Sequence, residues 1–427
     1  MTKTGLFRTL VYVAIFLAAF GYYVTRAANS GGLGALPEAG DGQDYDAIAF
    51  NVWQGRGFGY YWSDEAYRRP YEGNRRYGFL LRRRSEYYPT TYRPPAMPFL
   101  MASVYALTDR SFAAWRVVNC GIMAGAVTAA AATAAHFGGV PAALLTAAVA
   151  VRNPKLTDYS SRFLTEALAT FLVALLAWQW VSSAQRGWTA RRAAASGVTL
   201  GALLAARTIF VLWMPVVLIL PGKDLSFGSR FAWRTKATCL LMAVLVISPW
   251  WIRNIAVTGA FMPLGTQGGI NLPMAFGQRA LNAQGLWRSN FSDGAPEIMA
   301  LGLDPVTTEV RLAKYRAALA TKWMREHPVD TLRLMYLHVW QELRPRHDPI
   351  SNWLLPAAGL AAIVLRRSPG AWAIVFMVCA NILSVAMTYS ARGRFMVPVQ
   401  PILIALVAAM IVTAPGRMLA LLRRAPG

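Results

Sequence analysis

Three carboxylates fall within six residues of GDGQDYDAIAF, at Asp41, Asp44 and Asp46. Beside an apolar run, a carboxylate can take a proton from a substrate hydroxyl, hold a metal ion, or cap a helix. The pattern over residues 45–53 predicts an interfacial helix with Tyr45, Ile48, Ala49, Val52 and Trp53 on one face, ended by Gly55, Gly57 and Gly59. Asp41 then sits before the helix on a Gly-flanked turn, free to project into a cavity. Asp44 and Asp46 lie about 200° apart on a helix, so they share one ion poorly. Other chemistry-bearing residues border apolar runs: Glu166 with Asp158 before it, and Arg207, Arg253 and Arg394. An ionisable group at the edge of an apolar span is expensive and marks a functional candidate. Arg93 follows a basic stretch of Arg68, Arg69, Arg75, Arg76, Arg82, Arg83 and Arg84, which as a surface loop would bind anionic headgroups.

The elements that must position these residues are apolar. The chain has 427 residues, 56% hydrophobic, and a mean hydropathy of +0.35. About ten apolar runs approach the roughly 20 residues that cross a bilayer. They cover residues 6–25, 112–136, 140–151, 163–183, 193–207, 209–220, 237–252, 353–365, 371–388 and 396–413. The first is too long for a signal-peptide core and reads as a retained anchor. The net charge of +23 resides mostly in short loops, which argues for membrane topology rather than nucleic acid. Lys3, Arg8, Arg186, Arg191, Arg192, Lys223, Arg230, Arg234, Lys236, Arg366, Arg367, Arg417, Arg423 and Arg424 fall on one side under this count, the cytoplasmic side by the positive-inside rule.

The expected organisation is an all-α polytopic membrane protein. Residues 1–25 form the first transmembrane helix, and residues 26–111 an extracytoplasmic loop with interfacial helices and the acidic cluster. Residues 112–252 and 353–427 form transmembrane helices, and residues 253–352 an outer-face subdomain with a helical pattern over 304–343. The cysteines Cys120, Cys239 and Cys379 each lie in an apolar run, so no disulfide framework is expected. The four histidines lack metal-ligand spacing, and there is no phosphate-binding glycine loop. No cofactor is expected, and a divalent metal is not indicated.

The order of motifs resembles the membrane-embedded GT-C glycosyltransferases, in the superfamily of protein O-mannosyltransferases and the lipid A aminoarabinose transferase. The matching residues begin with Asp41, Tyr45, Ile48, Ala49, Gly55, Gly57 and Phe58. They continue with YRPP at 92–95, DRSFAAWR at 109–116 and LTEALATFL at 164–172. Arg207, PWWIRN at 249–254, REHP at 325–328 and RGRF at 392–395 complete the series. The resemblance implies about ten transmembrane helices with a capped outer-face cavity. It implies that a sugar moves with inversion from a polyprenyl phosphate to a hydroxyl of a glycan, lipid or protein, outside a bacterial cytoplasmic (inner) membrane. Asp41 matches the family's catalytic base, with Glu166 as a second site carboxylate. Arg93, Arg207 and Arg394 match positions facing the donor phosphate, and Arg253 orients the loop beyond it or joins them. Asp44, Asp158 and Tyr92 are secondary candidates; Asp46 and His327 are assigned to packing.

Two other function classes fit a polytopic chain. A lipid or solute transporter predicts midplane charges and often repeated halves, whereas these charges gather at the outer boundary and the halves differ. A ligase that transfers a glycan from a lipid pyrophosphate would share the cationic phosphate site.

Overall fold

The computed structural model describes residues 3–222, 230–288 and 294–422, and helices dominate them, with a single pair of two-residue strands. Lys223, Arg423 and Arg424 lie outside the described residues. Helix α1 (Lys3–Asn29) crosses the bundle once. Helix α2 (Asp41–Trp53) begins at Asp41 rather than at Tyr45, because Gly40 adopts φ 90° and the Gln43 side chain accepts from its N–H at 3.2 Å. That contact satisfies one of the donors orphaned at a helix start, and acids in the first turn suit the helix dipole. The helix is not half-exposed at an interface: Gly42, Gln43 and every residue from Tyr45 to Asn51 are buried. Tyr67 and Tyr71 cover it from one side, and α3 (Ala96–Thr108) packs on another.

Helix α4 (Phe112–Val151) would be about 60 Å long if straight, twice the hydrocarbon thickness. It is a hairpin, broken at Gly138 (φ −127°) and Gly139 (φ 66°) ahead of Pro141. Phe20 packs over Gly121 on its first leg, and the Tyr23 hydroxyl donates to Ala150 at 3.5 Å on its second. Both ends of α4 therefore meet the same end of α1, which separates the two spans expected at 112–136 and 140–151.

Helix α5 (Glu166–Arg186) runs back toward the turn of that hairpin, where Gln185 meets His136 at 3.2 Å. Helix α6 (Ala190–Ala206) returns. The next leg is short and tightly wound, a 3₁₀ segment Thr208–Trp213 followed by one turn, Val216–Ile219. Helix α7 (Arg230–Thr258) packs against α6 through Gly197 and Gly201 and continues six residues past the expected end at 252. A Cβ at Gly197 would lie 2.3 Å from the Cys239 carbonyl oxygen, so the backbones touch as small-residue spacing permits. The chain then forms α8 (Gln267–Ala275), α9 (Pro305–Glu326) and α10 (Pro328–Leu343). The helical pattern over 304–343 is two helices rather than one, broken at His327 ahead of Pro328, a residue that suits a helix start. Helices α11 (Pro349–Val364), α12 (Pro369–Ala386) and α13 (Gln400–Leu422) complete the bundle.

The described residues thus contain ten legs alternating between two ends. Six helices are long and apolar enough to cross a membrane, with α4 counted once; three further apolar helices are shorter. The chain is an integral membrane protein. One end carries the basic loops. The other carries α2, α3, a two-residue antiparallel pair (Gly59↔Pro89, Tyr60↔Tyr88) and the helices of 259–348.

Candidate functional site

Residues three apart share a face of a helix, so the first turn of α2 presents Asp41 and Asp44 together. Both meet Arg93, whose Nη2 donates at 2.6 Å to Asp41 Oδ1 and at 2.6 Å to Asp44 Oδ2. Arg93 is buried, with the rings of Tyr45 and Tyr92 at 5.2 and 4.9 Å from its guanidinium carbon. The other Asp41 oxygen accepts from Arg394 Nη1 at 2.7 Å. Arg394 also donates to Glu166, through Nε to Oε1 and through Nη2 to Oε2 at 3.2 Å. Glu166 Oε1 accepts as well from Arg207 Nη1 at 2.8 Å. The result is a chain of alternating charge: Asp44, Arg93, Asp41, Arg394, Glu166, Arg207. Arg83 stands at its rim, 3.7 Å from Asp44.

Three different helix ends and two loops converge here, one of the loops carrying Arg93. Asp41 opens α2, Glu166 opens α5 and Arg207 closes α6. Arg394 comes from a turn before α13 in which Arg392 (φ 60°) and Gly393 (φ 83°) are both left-handed. A Cβ at Gly393 would fall 2.6 Å from Asp348 Cβ, so only glycine fits. Glu166 is fully buried, while Asp41 keeps 34% of its side chain exposed, the most of the three carboxylates in the cluster.

Burial alone would raise the Asp41 pKa, but Arg93 and Arg394 outweigh it and hold the carboxyl well below its usual range. Arg93 and Arg394 are raised by the carboxylates against the opposing effect of burial. Tyr389, beside the cluster, is pushed up to about 12, chiefly by burial and then by Asp41, and stays a neutral phenol.

Asp46 points away from this cluster. Its oxygens accept from Arg110 Nη2 and the Tyr71 hydroxyl, both at 2.6 Å, and from the Tyr105 hydroxyl at 2.7 Å. It is fully buried and fixes the rotation of α2, and with it the aim of Asp41 and Asp44. Arg110 reaches it from a left-handed turn, with φ 52° at Asp109 and 55° at Arg110.

Of the residues singled out in the sequence, Asp41, Asp44, Arg93, Glu166, Arg207 and Arg394 come together, with Tyr92 packed alongside. Arg253 does not join them: it donates to the carbonyls of Thr90 (2.6 Å) and Phe58 (2.7 Å) and braces the strand leading to Arg93. Asp158 is also apart, 48% exposed and paired with Arg162 one turn on. His327 is exposed and stacks on Trp323. Sequence reasoning passed over Glu309 and Glu342, which brace the loops carrying Arg93 and Arg394. An acid on the buried face of α10 was a readable signal for Glu342. Glu309 gave none, since an acid near a helix start is ordinary. Among the described residues no three His, Cys, Asp or Glu side chains gather as metal ligands. Both oxygens of Asp41 are taken by arginines.

Ten legs, capped at one end by helices over a carboxylate–arginine cluster, form a fold that the chain shares with solved structures. Among solved structures, the chain is similar to ArnT from Cupriavidus metallidurans bound to undecaprenyl phosphate, with TM-score 0.54 and 12% identity over 99% of this chain and 63% of that one. It is also similar to the archaeal oligosaccharyltransferase AglB from Archaeoglobus fulgidus, in complex with an inhibitory peptide and a dolichol-phosphate (TM-score 0.53, 11% identity, 99% of this chain and 52% of that one). A further structure of the Archaeoglobus fulgidus oligosaccharyltransferase, tethered to an acceptor peptide, matches with TM-score 0.56 and 8% identity over 97% of this chain and 51% of that one. The chain thus spans between about half and 63% of the length of these proteins. No protein-family model matches the sequence, and no curated protein matches it.

Proposed function

We propose that this chain is an inverting glycosyltransferase that moves a sugar from a polyprenyl-phosphate donor to an acceptor hydroxyl on the extracytoplasmic face of a bacterial inner membrane. One observation carries the reading. Arg394 forks between Asp41 and Glu166 beside Arg207 and Arg93, so three guanidinium groups and a reachable carboxylate meet at one end of a membrane bundle. The undecaprenyl phosphate bound to ArnT, a protein of the same fold, supports a lipid-phosphate donor. The basic loops gathering at the opposite end support this choice of face.

In this reading the acceptor oxygen attacks the anomeric carbon while Asp41 takes its proton. The bond from that carbon to the phosphate oxygen breaks, and its electron pair stays on the lipid phosphate. Charge on that phosphate grows through the transition state, and arginine forks suit its geometry. No metal is invoked, because guanidinium groups meet this charge. The resting cluster is balanced, three carboxylates against three arginines. A phosphate entering it must share Arg394 and Arg207 with Glu166 and Asp41. Drawing Arg394 and Arg93 toward phosphate loosens their hold on Asp41 and raises its basicity, so donor binding readies the base.

The test is reconstitution of the full chain in vesicles with radiolabelled polyprenyl-phosphate sugars and a panel of glycan, lipid and protein acceptors. Label passing to an acceptor supports the reading. Absence of transfer from every donor, together with solute flux across the same vesicles, would replace it with a transporter.

A further inference from the structure

Two carboxylates outside the cluster hold the loops from which its arginines project. Glu342 is fully buried at the penultimate residue of α10, where the helix dipole disfavours negative charge, and no ion pair among the described residues includes it. A carboxylate so placed is costly unless hydrogen bonds compensate. Its oxygens accept from the Phe395 N–H at 2.6 Å, the Ala391 N–H at 2.8 Å and the Ser390 hydroxyl at 2.9 Å. The turn of residues 390–395 is therefore wrapped around this one side chain, and Arg394 is the residue it projects.

Glu309, on α9, does the same for the other arm. Its oxygens accept from the Thr90 hydroxyl at 2.6 Å, the Thr91 N–H at 3.0 Å and the Thr266 hydroxyl at 2.5 Å. Arg93 lies two residues beyond Thr91. The fit is close, since a Cβ at Gly265 (φ 68°) would stand 2.2 Å from the Thr91 carbonyl oxygen.

We infer that Glu342 and Glu309 are positioning residues through which helices α10 and α9, respectively, set Arg394 and Arg93 for the donor phosphate. This rests on the phosphate-binding reading above. Neither carboxylate touches the reacting atoms; each acts through the loop it holds. The side chain at 342 thereby couples a helix outside the bundle to the charge cluster within it.

A double-mutant cycle separates positioning from mere support. Undecaprenyl phosphate binding is measured on the full chain in nanodiscs for wild type, Glu342→Ala, Arg394→Gln and the double variant, with thermal unfolding of each. The expected result is on the order of a tenfold loss of affinity for each single variant and no further loss in the double. Glu342→Gln, which keeps the size and one acceptor oxygen, should recover part of the affinity and covers the case in which the alanine variant does not fold. A Glu342→Ala protein with a lower unfolding temperature but wild-type affinity would overturn the inference, and so would losses that simply multiply. If Arg394→Gln itself binds normally, the phosphate site is wrong, a failure visible before Glu342 is considered. The Glu309→Gln and Arg93→Gln pair gives the same cycle on the other arm, with the same expectation.

Discussion

Replacing Glu166 by Gln removes one negative charge from between two arginines while keeping the shape of the side chain. Glu166 is fully buried, and Arg207 and Arg394 are 11% and 23% exposed. At an effective dielectric near 20, each contact at about 4 Å is worth about 4 kcal/mol of Coulomb attraction. Part of that returns when the carboxylate no longer has to be desolvated. Breaking a buried pair costs about 3–5 kcal/mol, and the partial exposure of the arginines puts this case near the lower end, about 3 kcal/mol. The variant should therefore unfold at a clearly lower temperature in detergent. Arg207, left without a carboxylate, and Arg394, left with Asp41 alone, should then welcome a phosphate. Saturating wild type at about 100 times its Kd stabilises it by about 2.7 kcal/mol, and the gain in Glu166→Gln should be larger at the same concentration. Transfer should nevertheless fall, because the arginines lose the anchor that orients them. The assay is thermal unfolding of both proteins across an undecaprenyl phosphate titration. A variant as stable as wild type without lipid, or one that gains less from lipid, would refute the charge accounting.

Asp41 is held below the normal carboxylate range by Arg93 and Arg394, so its ion pairs stabilise the fold above the unfolded pKa of about 3.9 and fail only as pH drops through the lower folded value. The stability difference between wild type and Asp41→Asn should be flat from pH 8 to 5 and shrink below pH 4; a difference that changes between pH 7 and 6 would contradict this. Asp46→Asn should cost about 3–5 kcal/mol by leaving Arg110 buried without its counter-ion, visible as loss of folded protein on size-exclusion chromatography. Asp158→Asn, in an exposed pair one helical turn apart, should change stability by less than about 1 kcal/mol and leave transfer intact. Gly393→Ala, which forces a Cβ against Asp348 in a left-handed turn, should weaken undecaprenyl phosphate binding more than it lowers the unfolding temperature.

The apolar runs were readable because a bilayer sets the length of each leg and the short loops mark their ends. Even the tight hairpin at Gly138 and Gly139 showed as a break between the runs at 112–136 and 140–151. The start of α2 did not, since Gly40 and Gly42 are poor helix formers and the compensating contact is tertiary packing plus Gln43 reaching backward. Individual site residues could be picked out because ionisable groups stand out beside apolar runs. Their pairing could not. Arg394 meets Asp41 across 353 residues, a relation no local pattern carries. Arg253 shows the converse: its type and flank matched those of Arg207, yet it is spent on two backbone carbonyls.

If Asp41 is the base in sugar transfer from a polyprenyl phosphate, removing its charge must slow transfer while sparing lipid binding. The most direct measurement compares transfer and lipid binding in wild type and Asp41→Asn, reconstituted with a labelled polyprenyl-phosphate sugar and its acceptor. The variant should still bind undecaprenyl phosphate but transfer sugar at least about 100-fold more slowly, the usual worth of a positioned base. Transfer by Asp41→Asn at the wild-type rate would contradict that role.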